Sequence, residues 1–168
     1  SEARVYCVGR LDRTSEGLIL VTNDGELANR LTHPSFQIDK RYLVEVAGTP
    51  LPDQLEQLEK GVHLAEGIAK ASKVTPRRAS RRGTILEITL REGRNREIRR
   101  LLAQVGHKVL RLKRIAIGPL VLGELPAGES RRLSAEEVAA LKGLAGSRPR
   151  RDRLQRRAAD MTEQQMVT

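Results

Sequence analysis

Residues 17–22 hold a short apolar run, Leu18-Ile19-Leu20-Val21, which reads as one buried strand. Asn23-Asp24-Gly25-Glu26 then offers turn and capping groups for a short helix ending near Thr32. Residues 42–47 are rich in β-branched and aromatic side chains and predict a strand, while Leu51, Leu55 and Leu58 recur at helical spacing across 50–60. Strand character returns around Val74, a basic hairpin tip is expected at Arg77-Arg78 to Arg81-Arg82-Gly83, and residues 84–90 alternate with period two. Of the two faces of that last strand only Leu86, Ile88 and Leu90 are wholly apolar, so they should meet the core. Ile98, Leu101, Leu102 and Val105 form a helical stripe across 95–105, with Gly106 at the C-cap position. A strand over 109–117 follows, and Ser134-Ala-Glu-Glu137 is a capping box opening a last helix with Val138, Leu141 and Ala145 inward. From residue 41 the order is strand, helix, strand, strand, helix, strand. That order predicts an α+β fold, a mainly antiparallel central sheet flanked by helices in a split βαβ arrangement.

Charge sharpens this outline. The 168 residues carry 31 Lys and Arg against 21 Asp and Glu, a formal charge of +10. Such a surface expects a phosphate-bearing partner, nucleic acid before anionic lipid. The longest apolar run is too short to cross a bilayer, so no membrane role is expected. After Gly146 six arginines, Arg148, Arg150, Arg151, Arg153, Arg156 and Arg157, face only Asp152, Asp160 and Glu163, with few large apolar residues. The reading is one domain over 1–146 and a basic flexible tail over 147–168. Cys7 is alone, which excludes an internal disulfide and fits a reducing cytoplasm, and His33, His63 and His107 lack metal-ligand spacing. A monomer without metal is expected. The chain opens on Ser1, and a longer parent protein is expected.

Two segments hold polar groups that packing does not explain: Val8-Gly-Arg-Leu-Asp-Arg-Thr-Ser-Glu-Gly17 and Arg91-Glu-Gly-Arg-Asn-Arg-Glu-Ile-Arg-Arg100. Arg96, Arg99 and Arg100 would share a helix face beside the apolar stripe. They form either a solvated surface or a phosphate grip, one of whose members could hold a carboxylate ionised. Asp12 stands where extended chain gives way to a loop, as a turn aspartate or as a group doing chemistry. Tyr42 has only Tyr6 and Phe36 as aromatic company, so it is either a core residue or the ring on which an unstacked base would lie.

These residues resemble the ribosomal small-subunit and large-subunit pseudouridine synthases, the RsuA/RluB group. The likeness runs through Gly9-Arg-Leu-Asp-Arg-Thr-Ser-Glu-Gly-Leu18, Thr22-Asn-Asp-Gly25, Lys40-Arg-Tyr42, Glu92-Gly-Arg-Asn-Arg-Glu-Ile-Arg-Arg100 and Leu112-Lys-Arg-Ile-Ala-Ile-Gly118. It implies the pseudouridine synthase catalytic fold and a cofactor-free isomerisation of uridine in ribosomal RNA. Asp12 would be the essential aspartate, Tyr42 would pack on the target base, Arg99 would pair with Asp12, and Leu112 would form an apolar wall. Arg10 would anchor the loop or the RNA backbone. Arg13, Lys40, Arg96, Arg100, Lys113 and Arg114 are the candidate RNA contacts, with Arg77, Arg78, Arg81 and Arg82 as further phosphate contacts. The family usually carries a small S4-like RNA-binding domain ahead of the catalytic one, and residues 1–146 are expected to be the catalytic domain without it. The stretch over 61–67 and the Val74 region look more like the large-subunit enzymes. A noncatalytic RNA-binding or ribosome-assembly module is the rival reading, against which the anion in Gly-Arg-Leu-Asp counts.

Overall fold

Two apolar clusters organise the chain, and the strands they share decide where polar groups can gather. The computed structural model describes residues 4–146, so the basic segment 147–168 lies outside the described residues. In chain order the elements are β1 (Tyr6–Val8), β2 (Glu16–Gly17), β3 (Leu20–Thr22), α1 (Gly25–Thr32), β4 (Lys40–Ala47), α2 (Pro52–Lys60), β5 (Val62–Leu64) and β6 (Gly67–Ala69). There follow β7 (Lys73–Ala79), β8 (Gly83–Leu90), α3 (Glu97–Gln104), β9 (Val109–Ile117), β10 (Leu120–Val121) and α4 (Ala135–Gly146).

The main sheet runs β10-β9-β4-β8-β7, with β2 also on β9. Every pairing in it is antiparallel except β2 with β9. The strand pair β4 and β7 is therefore separated by β8, and β8 and β9 by β4, each pair joined through a helix: the expected split βαβ pattern. The registers align Val44 with Leu86 and Leu112, and Tyr42 with Ile88. Leu86, Ile88 and Leu90 are buried, as the alternation of their strand requires. Helices α2 and α3 cover this face with Leu58, Ile98, Leu101, Leu102 and Val105. Each such side chain withdrawn from water contributes about 1.5–3 kcal/mol. The opposite face carries charge pairs, Glu87 with Arg77 and Arg41, and Glu45 with Arg82.

A second cluster joins Val8, Leu18, Leu20, Leu31, Ile38, Ile117, Leu120 and Leu141, drawing α1 and α4 against β1, β3 and the end of β9. Asp24 caps α1 by accepting from the Leu27 N–H, and Ser134 and Glu137 cap α4 reciprocally. The expected single strand over 17–22 divides instead. Gly17 belongs to β2 on β9, whereas Leu20 and its neighbours pair with β1. Leu18 and Leu20 face inward while Ile19 and Val21 are exposed, so an apolar run did not mean burial on both faces. Between the clusters β4 and β9 lose register at Arg41/Tyr42, where Tyr42 opposes Arg114 and Arg41 opposes Ala116. A bulge of this kind bends a strand and re-aims its side chains.

Candidate active site

Residues 9–17 form a loop fastened at both ends. Val8 is buried in the second cluster, and Gly17 lies flat against β9. Gly17 has φ +108°, and a Cβ there would stand 2.2 Å from the Arg114 carbonyl oxygen. Only glycine fits that approach. One residue on, the Leu18 N–H donates to the Arg114 carbonyl at 2.8 Å, and Arg114 Nε donates back to the Leu18 carbonyl at 2.7 Å. Within the loop a turn closes through the Ser15 N–H and the Asp12 carbonyl, leaving the Asp12 side chain 28% exposed.

The loop roofs a cleft of about 170 Å³ at the seam of the two clusters, with Asp12, Lys40, Tyr42, Glu97, Leu112 and Arg114 on its walls. That volume holds on the order of ten waters, the scale of one nucleobase. Tyr42 and Arg114 are opposed across β4 and β9, so both look into it. Burial pushes the Tyr42 hydroxyl above the usual tyrosine range, Arg114 opposes the shift, and Glu97 and Asp12 add to it. Lys40 is drawn below the usual lysine range by burial and then by Arg114, against the attraction of Glu97. Glu97 is pushed up, chiefly by its own burial. Lys40, Tyr42, Glu97 and Arg114 thus share one confined space beside Asp12.

A family model described as RNA pseudouridylate synthase matches residues 1–104. The chain belongs to that family. It is 42% identical over 149 residues to "Ribosomal large subunit pseudouridine synthase B" of Bacillus subtilis, covering 84% of this chain and 59% of that protein. It is 47% identical over 138 residues to an "Uncharacterized RNA pseudouridine synthase" of Aquifex aeolicus, covering 82% and 55%. A solved structure, "Crystal structure of pseudouridylate synthase", superposes with a TM-score of 0.73 at 33% identity, covering 82% of this chain and 59% of that one. The chain therefore spans a little over half the length of these relatives. The first of them is named for the ribosomal large subunit, and the solved structure supports the expected α+β pseudouridine synthase fold.

Within this pseudouridylate synthase fold the arginines part company. Arg99 does not pair with Asp12: its Nη2 donates to the Thr14 carbonyl at 2.8 Å, and Arg96 makes the Asp12 ion pair at 3.7 Å. The reason is local, since α3 begins at Glu97 and Arg96 precedes it as a cap with φ 48°. Arg99 still feels the site. Burial lowers it from the ordinary arginine range and Arg96 adds repulsion, while Asp12 opposes both. Arg100 turns away to grip Glu66 through two hydrogen bonds, so the three guanidiniums share no common surface. Arg114 is 3% exposed and locked to Leu18, which removes it as a phosphate contact. Lys40 is half-buried in the cleft rather than on an outer surface. Lys113 follows Leu112 on β9 and so projects from the opposite face of the sheet. Arg10 is an exposed residue of the cleft lining, Arg13 is exposed on the loop outside that lining, and Leu112 is on the wall. The hairpin arginines lie a strand length, roughly 24 Å, from the cleft, and Arg77 and Arg82 are occupied by Glu87 and Glu45.

Glu97 was missed in the sequence. It lies four positions before Leu101 on the buried stripe of α3, and that spacing is the signal that could have found it. The Glu66–Arg100 pair makes a pH prediction. Hydrogen bonds from Arg100, then from the Glu66 backbone, hold this carboxyl at about 2 instead of 4.5. A depressed carboxyl stabilises the fold fully above its ordinary range and loses that contribution as pH falls toward its folded value. Wild type should therefore unfold at higher temperature than Glu66→Gln at neutral pH, with the gap closing between about pH 4.5 and 2. A gap that widened in acid would contradict the assignment.

Proposed function

We propose that this chain converts uridine to pseudouridine in large-subunit ribosomal RNA, with Asp12 as the group that opens the glycosidic bond. The observation that carries the reading is a solvent-reachable carboxylate on a pinned loop, facing a base-sized cleft walled by Tyr42 and Leu112 and paired with Arg96. In the reaction the N1–C1′ bond breaks, a C5–C1′ bond forms, C5 loses its proton and N1 gains one. An ionised Asp12 can attack the sugar or remove a sugar proton, so that the base is detached without being released. Arg96, 3.7 Å away, helps to orient the carboxylate. Tyr42 offers a face on which a flipped base returns part of its unstacking cost, about a few kcal/mol. Exposed Arg10 and Arg13 flank the entrance as phosphate contacts. The name of the Bacillus subtilis relative points to the ribosomal large subunit as the source of substrate. The protein is expected to work as a monomer in the cytoplasm.

The test is release of tritium from uracil C5 in large-subunit ribosomal RNA transcribed with labelled uridine. Wild-type chain should liberate tritiated water. Tight RNA binding with no tritium released would favour the noncatalytic module instead.

A further inference from the structure

Three residues that line the cleft, Ser15, Glu97 and Arg114, each bury a side-chain atom without the partner its burial demands, and the last two are charged. Glu97 is 3% exposed; its Oε2 accepts from the Arg94 N–H at 2.9 Å, but its Oε1 is sealed from solvent without a hydrogen bond. Arg114, also 3% exposed, spends Nε on the Leu18 carbonyl and leaves Nη2 sealed and unbonded. An unmet buried donor or acceptor costs about 1–3 kcal/mol, more when charged. The acceptor and the donor belong to residues that line the same small cleft as Tyr42 and Asp12. The terminal torsions of glutamate are broad, so Oε1 can turn toward a group that enters.

Uracil offers the complement: an imide N3–H between two carbonyls. Joining C5 where N1 had been requires the detached ring to make a half-turn, and the axis through N3 and C6 is the one that exchanges N1 with C5. That rotation also exchanges the two carbonyls and leaves N3–H pointing where it began. An acceptor on N3–H is therefore a pivot kept throughout, and a donor to one carbonyl finds the other afterwards. We propose that Glu97 Oε1 accepts the uracil N3–H and Arg114 Nη2 donates to its carbonyl, holding the free base on its turning axis until C5 meets the sugar. The same pair rejects cytosine, whose N3 is an acceptor and whose C4 bears an amine. This inference rests on the uridine isomerisation proposed above.

The experiment uses the same RNA labelled at uracil C5, and separates tritiated water from tritiated free uracil. Wild type should give water alone. Glu97→Ala should release tritiated water at least about tenfold more slowly, and labelled free uracil should now appear as the unheld base escapes. Its N1 is then protonated and a water oxygen bonds to C1′, leaving an abasic site. Glu97→Gln keeps one carbonyl oxygen, which can serve the uracil N3–H or the Arg94 N–H but not both, so it should fall between wild type and Glu97→Ala in water release. Thermal unfolding separates this from a structural defect, which would slow water release without freeing uracil. Two results overturn the proposal: Glu97→Ala at the wild-type rate, or a slowed but folded Glu97→Ala that frees no uracil. Silence from wild type itself would instead remove the underlying reaction.

Discussion

Asp12→Asn should lower tritium release from uracil C5 by more than about 10⁴-fold while RNA affinity, measured by filter binding, stays within about threefold. The amide keeps the size of the side chain and can still accept a hydrogen bond, but it neither attacks C1′ nor takes a proton from the sugar. Stability should hardly change. The side chain is 28% exposed and its one ion pair, to Arg96 at 3.7 Å, joins partners open to solvent. Such pairs contribute about 0–1 kcal/mol. A variant retaining activity within about a hundredfold of wild type would show that another group opens the glycosidic bond. Loss of RNA binding in parallel with activity would also count against a purely chemical role.

Gly17→Ala should be strongly destabilising. At φ +108° a non-glycine residue costs about 1–3 kcal/mol, and here the added carbon would meet the Arg114 carbonyl oxygen at 2.2 Å. Backbone cannot swing aside as a side chain can, so the total should exceed about 3 kcal/mol. At roughly 2–4 °C per kcal/mol for a domain of this size, the unfolding midpoint should fall by about 10 °C. Gly67 separates strain from collision. Its φ is +116°, yet nothing lies within 4 Å of an added Cβ. Gly67→Ala should cost only the strain, and equal midpoints for the two variants would disprove the close approach of β2 to β9.

Much of the architecture was legible because its signals are local. Leu86, Ile88 and Leu90 declare the buried face of β8 by period two, and the α3 stripe declares itself by period 3.6. The Ser134–Glu137 capping box is complete within four residues. The site was legible only in its membership, through the matching of motifs. Its wiring was not, since Arg99 meets Thr14 across 85 positions and Arg114 meets Leu18 across 96. A list of conspicuous arginines cannot say which one bends back to a carbonyl and which one faces an aspartate. The left-handed turn at Arg96 decided that division, and no residue preference predicts such a conformation for arginine. Nor could the run over 17–22 reveal that one half serves β9 and the other β1.

The seam between the two clusters has a consequence for how mutations will be felt. Asp12 hangs from Val8, which belongs to the α1 and α4 cluster, whereas Tyr42 and Leu112 belong to the cluster under α2 and α3. In the proposed reaction the alignment of the aspartate with the base is a relation between two separately packed clusters. Leu31 and Leu141 hold no reacting group, yet they set one side of that relation. Screens for impaired enzymes should then recover substitutions in α4 alongside those in the cleft, and repacking α4 offers a way to tune turnover without altering a residue that meets RNA.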